Sequence, residues 1–184
     1  MENKPSLLKH TLTYGAILGS ISIILSLILY IAGYMPVGIK SSLFLTLFSL
    51  VITIIFISFG IKSYRDKVLD GNISYGQAFM VGFLITVFSV ILSSVYNLIF
   101  NTVIDPDYMN RVMEATRNST YEMMNNMGAS EGQIEEAMER FDERVAGMTP
   151  MKTFLMGFIW PTVLGTIISL IVAAFTRKVK NPIV

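Results

Sequence analysis

The sequence predicts an all-α membrane protein, a four-helix transmembrane bundle with an extracytoplasmic αα-hairpin between the third and fourth spans. Three observations support this prediction. The 184 residues are 53% hydrophobic and 15% charged, whereas soluble domains are about 25% charged. Four apolar stretches contain no charged residue, and the segment before the last of them is polar and amphipathic. We therefore treat residues 1–184 as one integral membrane domain with a soluble hairpin insertion at 105–150.

Each apolar stretch is long enough to cross a bilayer as a helix. A hydrocarbon core about 30 Å thick needs about 20 residues at a rise of about 1.5 Å per residue. We predict spans at about residues 11–33, 42–61, 78–100 and 153–176. The first stretch exceeds the apolar length usual for a signal peptide and no A-x-A-like site follows it, so we expect a permanent anchor.

Basic residues predict the orientation, because cytoplasmic connections carry an excess of Lys and Arg. Eight lie in the two tails and the connection between spans two and three: Lys4, Lys9, Lys62, Arg65, Lys67, Arg177, Lys178 and Lys180. The other side carries six over a much longer length. The sequence thus predicts cytoplasmic N- and C-termini and an extracytoplasmic hairpin.

Small and hydroxyl-bearing residues recur at helical spacing in every span and predict close helix packing. In span three they are Ala78, Gly82, Thr86, Ser89, Ser93 and Asn97. Two alternatives remain open from the sequence. The hydroxyl stripes can line a substrate path, and Gly15 with Gly19 can form a dimerisation face instead of packing within the chain.

The 105–150 segment reads as two amphipathic helices that fold back on each other. Asp105 and Pro106 predict an N-cap followed by proline at the first helical position. Gly128 predicts a left-handed helix end, and Ser130 with Gln133 predicts a capping box for the second helix. The apolar positions of the two helices are Met109, Met113, Thr116, Thr120, Met123 and Met127, then Ile134, Met138, Phe141, Val145 and Met148.

Few residues that support chemistry are present. Without cysteine there is no thiolate site, and the single histidine, His10, is interpreted as an interfacial residue at the start of span one. Six methionines lie between residues 109 and 138. Thioethers can bind Cu(I), but without Cys or His nearby we interpret them as adaptable packing or partner-binding residues. We assign no catalytic, cofactor or metal site, and a net charge of +1 gives no indication of nucleic-acid binding.

Four motifs carry a resemblance to a known family. They are GNISYGQAF at 71–79, IDPDY at 104–108, SEGQIEEAM at 130–138 and FTRK at 175–178. With these motifs the chain resembles a bacterial family of uncharacterised four-span membrane proteins, a domain of unknown function. The resemblance implies the bacterial inner membrane with a periplasmic hairpin, and it implies no activity. Its positions of unknown role are Gly71, Ser74, Gln77, Asp105, Pro106 and Tyr108.

The first motif also has a structural explanation. Ser74 and Gln77 predict a capping box at the start of span three, and Gly71 and Gly76 relieve steric limits on the backbone. A cytoplasmic binding site at this motif is the alternative.

Three functions remain as hypotheses. The first is a non-catalytic membrane protein that binds a partner or a second copy through the 105–150 hairpin or the Gly15/Gly19 face. The second is a small transporter or channel subunit for a neutral solute. The third, an intramembrane enzyme, is disfavoured because no span carries the paired ionisable groups that acid–base chemistry needs.

Overall fold

The computed structural model describes residues 6–178, so Lys4 and Lys180 of the charge pattern lie outside the described residues. The helices are α1 (Leu7–Ile31), α2 (Ile39–Lys67), α3 (Tyr75–Ile99) with a π-helical turn (Phe100–Ile104), α4 (Tyr108–Asn126), α5 (Glu131–Ala146) and α6 (Pro150–Thr176). As predicted, four helices are long and apolar enough to cross a membrane: α1, α2, α3 with its π-helical continuation, and α6.

The four long helices run up and down around α3, which packs against α1, α2 and α6. Two ends of the bundle follow from this topology. We call the end that holds the start of α1, the α2–α3 connection and the end of α6 the terminal end. The opposite end, which holds α4 and α5, is the hairpin end. A short antiparallel pairing at the terminal end joins Ile73 to Lys178, whose backbone groups exchange hydrogen bonds of 2.7 and 3.0 Å.

Glycines allow the helices to approach α3 closely. A Cβ atom at Gly15 would lie 2.6 Å from Phe88 Cβ, and one at Gly19 would lie 3.1 Å from the Ser89 carbonyl oxygen. Both glycines are therefore covered by α3 of the same chain. The proposal that Gly15 and Gly19 form a dimerisation face is wrong, because α3 already occupies the space that a second copy would need.

Packing is much tighter in the terminal half of the bundle than in the hairpin half. The buried residues of α2 are Ile57, Gly60 and Ile61, whereas residues 39–53 of the same helix are all exposed or half-buried. The buried residues of α1 likewise end at Gly19. The helices consequently enclose space near the hairpin end.

The amphipathic segment forms the predicted antiparallel hairpin. Gly128 adopts a left-handed φ of 76°, and Ala129 N–H bonds the Met124 carbonyl at 3.1 Å, which completes a Schellman end to α4. Ile134 and Met138 are buried, and the other apolar positions are half-buried. Met127 is the exception, since it is 77% exposed and does not contribute to the interface.

The capping predictions for Ser74 and Ser130 are confirmed, and the one for Asp105 is wrong. Ser74 and Ser130 form capping boxes, and Thr149 accepts from Lys152 N–H ahead of α6. Asp105, however, does not cap α4, which begins at Tyr108. Its backbone N–H closes the π-helical turn by bonding the Phe100 carbonyl, and its carboxylate bonds side chains elsewhere.

His10 also differs from its prediction. It is only 7% exposed, and its Nε2–H donates a hydrogen bond of 2.9 Å to the Gly60 carbonyl oxygen of α2. Its ring packs between Tyr14 and Tyr64, at centroid distances of 4.8 and 5.1 Å. The imidazole is therefore not exposed to water or headgroups as predicted: Gly60 brings a backbone acceptor within reach, and the ring is held inside the bundle.

Candidate functional site

The hairpin half of the bundle encloses a cavity of about 460 Å³ between all four spans, which we call the bundle cavity. Its lining contains no charged residue. The apolar part is formed by Leu18, Leu45, Leu50, Val90, Pro161, Leu164 and Ile168. The polar part comprises Ser22, Thr46, Ser49, Thr53, Thr86, Ser89, Ser93, Ser94 and Asn97, together with the backbone of Gly157 and Gly165.

Several of these hydroxyls are used within their own helix. Ser22 donates to the Leu18 carbonyl at 3.1 Å, and Thr86 donates to the Gly82 carbonyl at 3.1 Å. Thr46 and Thr53 bond back in the same way. These groups give the wall polarity without leaving a donor free.

Ser89 and Ser94 are different. These residues are 7% and 6% exposed, and no hydrogen bond joins either hydroxyl to another group of residues 6–178. Their oxygen atoms are not fully buried, because the fully buried unpartnered side-chain atoms of the described chain are Tyr96 Oη and Asn101 Oδ1. Both side chains line the bundle cavity, so a molecule in that cavity can supply the missing hydrogen bonds.

The backbone of α6 contributes a carbonyl that lacks its usual helical donor. Pro161 lies inside α6 and has no N–H, so the carbonyl of Gly157, four residues earlier, lacks its helical donor. Gly157 lines the cavity and has no atom of a neighbouring element within 4 Å of a Cβ position. The wall formed by α6 thus contains a carbonyl that lacks its usual helical donor, at a position that carries no side chain.

A second cavity of about 450 Å³ lies between the bundle and the base of the hairpin. It shares Ser94, Asn97 and Gly157 with the bundle cavity, so the two cavities are adjacent. Asn101 lies on its wall, where the amide nitrogen donates to the Asn97 carbonyl at 2.8 Å and the amide oxygen is buried without a partner.

A groove of about 250 Å³ between α1 and α2 leads to the bundle cavity from the side. Ser22, Leu45, Ser49 and Thr53 line both spaces. The rest of the groove includes Ile21, Leu25, Ser26, Leu29 and Ile52. Pro36 and Tyr108 complete the lining, so the groove runs from the hairpin end into the region between the two spans.

Asp105 ties the base of the hairpin to α1. The Tyr30 hydroxyl donates to Asp105 at 3.0 Å, and Arg111 forms a two-pronged ion pair with the same carboxylate. The rings of Tyr30, Phe100 and Tyr108 pack edge to face beside it. Hydrogen bonding from Arg111 holds the pKa of Asp105 below its usual value, and Asp105 in turn raises the pKa of Arg111.

The family positions fall into two separate groups. Gly71, Ser74 and Gln77 lie at the terminal end, where Gly71 has a φ of 85° and the other two form the capping box with bonds of 3.0 and 3.3 Å. Asp105, Pro106 and Tyr108 lie at the hairpin end, and Pro106 lines the cavity beneath the hairpin. Gly76 sits in the first turn of α3 with open space around it, so the steric role predicted for it is not required.

Sequence reasoning missed two parts of this site. Ser94 lies one position from the predicted stripe of span three, at the junction of the two cavities. The Gly157 carbonyl, which lacks its usual helical donor, was also missed. The sequence does indicate it, because a proline inside a helix removes the N–H that would bond the carbonyl four residues earlier. Among residues 6–178, no group of three or more acidic or histidine side chains is placed to hold a metal ion.

The hairpin itself carries an acidic groove. Its floor is Ile134 and Met138, and its walls are Arg117, Tyr121, Glu131, Glu135, Glu139, Asp142 and Glu143. Arg117 pairs with Asp142 across the two helices at 2.8 Å. The pair lowers the pKa of Asp142 below its usual value.

Comparison with known proteins places the chain in a family but gives no activity. No curated protein and no solved structure is significantly similar to it. The family DUF4199, described as a protein of unknown function, matches residues 13–178, which is most of the chain. The protein is therefore a multi-pass membrane protein that belongs to the DUF4199 family.

Proposed function

We propose that the protein is a non-catalytic membrane protein that binds an uncharged molecule in the bundle cavity. The observation that carries this proposal is that Ser89 and Ser94, whose hydroxyls make no hydrogen bond within the described chain, line a cavity whose wall has no charged residue. Of the hypotheses that the sequence left open, this one is closest to the small transporter or channel subunit for a neutral solute.

The terminal half of the bundle supports binding rather than an open pore. Gly165 meets Thr86, and Gly82 meets Ile57 and Ser169, at distances that leave no room for an added Cβ without movement. The cavity therefore ends at a tightly packed floor. A solute that enters from the hairpin half is held at that floor unless the helices move.

The positions of ionisable groups support a non-catalytic role. Asp105 is paired with Arg111 and Asp142 with Arg117, both in the hairpin region outside the cavity lining. His10 lies at the terminal end and is bonded to Gly60. General acid–base catalysis needs such groups within hydrogen-bonding reach of the substrate, and the cavity walls contain only hydroxyls, amides and apolar groups.

We also propose the bacterial inner membrane, with the terminal end in the cytoplasm and the hairpin in the periplasm. The described basic residues at the terminal end are Lys9, Lys62, Arg65, Lys67, Arg177 and Lys178. This charge distribution supports the orientation through the positive-inside rule.

A second proposed role concerns the acidic groove of the hairpin. Residues 105–150 hold ten carboxylates and four arginines. An apolar floor of Ile134 and Met138 with acidic walls suits a basic amphipathic helix of a partner protein. Affinity capture from mild detergent tests this role: a stoichiometric partner should bind the native chain and be lost when Glu131, Glu135 and Glu139 are changed to glutamine.

The cavity proposal is tested by thiol accessibility, because the chain has no cysteine. Ser94→Cys in native membranes should react with a small uncharged maleimide. Ala173→Cys, which is fully buried in the terminal half, is the control and should not react. Gly157→Leu, which fills the cavity, should slow the reaction at position 94. Equal protection of both cysteines would contradict the proposal.

A further inference from the structure

We infer that the occupant of the bundle cavity is an uncharged amphiphile of the bilayer, with a hydroxyl or carbonyl head and an apolar chain, which enters sideways through the groove between α1 and α2. This inference rests on the proposed function, because it names the ligand class and the route for the same cavity.

The distribution of polar atoms suggests a small head group. The Ser89 and Ser94 hydroxyls on α3 make no hydrogen bond within the described chain, and the Gly157 carbonyl on α6 lacks its usual helical donor; all three residues line the same cavity. Together they offer donors and an acceptor, so a hydroxyl group matches them better than a group that only donates or only accepts. The remaining lining mixes Leu, Val, Ile and Pro side chains with Ser, Thr and Asn side chains, which suits a ligand with both polar and apolar parts.

The absence of charged groups from the lining argues for a neutral ligand. An ion buried without a counter-charge loses several kcal/mol of hydration free energy, and nothing in this lining compensates for that loss. A volume of about 460 Å³ lies within the range of about 300–1,000 Å³ that holds small ligands.

The route follows from the packing of α2. Because residues 39–53 are nowhere buried, α1 and α2 leave the groove between them in the hairpin half. Its walls combine five Leu and Ile side chains with the hydroxyls of Ser22, Ser26, Ser49 and Thr53. Because the groove lies between two membrane-spanning helices, lipid chains lie beside it, and its mixture of apolar and hydroxyl groups matches an amphiphile. We therefore assign entry to the membrane side and not to the cavity beneath the hairpin.

Photolabelling of the full-length protein tests the route. The probe is a long-chain alcohol with a diazirine on its chain, mixed into phosphatidylcholine vesicles that contain the protein. Label is expected on residues of the bundle cavity and also on lipid-facing Phe59, which serves as the internal reference. Ser26→Trp obstructs the groove and should remove the cavity label, whereas Ile24→Trp, on the exposed face of α1, should not.

Competition tests the head group. Unlabelled long-chain alcohol should displace the cavity label, and an alkane of equal length or a fatty acid anion should not. Ser89→Ala with Ser94→Ala removes both hydroxyls without filling the cavity, so the advantage of the alcohol over the alkane should disappear. Circular dichroism and gel filtration of each variant establish that it is folded.

The possible contrary results distinguish between failure of the ligand class, of the entry route and of the proposed function. If Ser94→Cys reacts with the uncharged maleimide but the cavity takes no photolabel, the cavity binds a small solute or water and the amphiphile inference is overturned. Equal loss of label in Ser26→Trp and Ile24→Trp, or loss in neither, overturns lateral entry. Failure of Ser94→Cys to react overturns the proposed function itself.

Discussion

The Cγ2 methyl of Thr86 on α3 occupies the space where a side chain of Gly165 on α6 would begin. A Cβ atom added at Gly165 would lie 2.1 Å from that methyl, the closest approach found at any glycine of the described chain. This contact forms part of the floor of the bundle cavity. It also explains why the two helices meet at this level and diverge toward the hairpin end.

We predict that Gly165→Ala lowers stability by about 1–3 kcal/mol, because overpacking a close helix contact forces α3 and α6 apart. Gly157→Ala is the matched control on the same helix, where nothing lies within 4 Å of the new methyl. Thermal unfolding in mild detergent should show a clearly lower Tm for Gly165→Ala alone. Equal Tm values would mean that the two helices are not in close contact.

Because His10 is buried and Lys9 is exposed, we predict that substitutions at these two neighbouring positions change the Tm differently. His10→Leu retains an apolar side chain but loses the hydrogen bond to Gly60, which costs about 1 kcal/mol. Lys9→Leu changes an exposed neighbour and should leave the Tm nearly unchanged. If both variants behave alike, His10 faces the headgroups rather than α2.

The ion pair of Asp105 and Arg111 predicts a pH effect. The pKa of Asp105 is lower in the folded chain than its ordinary value of 3.8. The ion pair therefore stabilises the fold at pH values above 3.8, and this stabilisation is lost as the pH falls through the lowered pKa of the folded chain. Asp105→Asn should therefore lower the Tm near neutral pH and lose its effect in strong acid. Asp107→Asn makes the same charge change without removing a side-chain hydrogen bond. A Tm difference between the native chain and Asp105→Asn that stays the same at every pH would contradict the predicted role of the ion pair.

The proposed orientation is tested with single cysteines in the cysteine-free chain. Asn125→Cys lies near the hairpin tip and Lys67→Cys near the terminal end, and both positions are exposed. In intact spheroplasts, an impermeant maleimide should label position 125 only. Labelling of position 67 alone would reverse the orientation and remove the argument for a periplasmic hairpin.

The hairpin should depend on its attachment to the bundle. The helix α4 has no buried residue, and α5 buries only Ile134 and Met138. A chain this short rarely gains more than about 3–5 kcal/mol from its core. We predict that the isolated 105–150 peptide is only partly helical by circular dichroism and gains helicity with a partner, a second copy or liposomes. Full helicity with a cooperative melt at every concentration would show a self-sufficient hairpin.

The parts of the structure that were predictable from sequence are those formed by residues close together in the chain. The capping boxes of Ser74 and Ser130 each involve residues three apart, and the left-handed end at Gly128 needs only its own backbone and its neighbours. Asp105 was assigned wrongly by the same capping rules. Its carboxylate binds Tyr30, 75 positions away in the chain, and that contact takes the place of a cap.

The sequence by itself determined the four spans, because the free energy of placing residues in lipid depends on each stretch alone. Only the tertiary structure decided the role of the small-residue stripe on α3. Gly82 is packed against Ile57 of α2 and Ser169 of α6, whereas Ser93 and Ser94 on the same helix line a cavity. The residue types and their spacing are alike in both halves. What differs is the distance from α3 to α2 and α6. The sequence of α3 alone does not determine that distance.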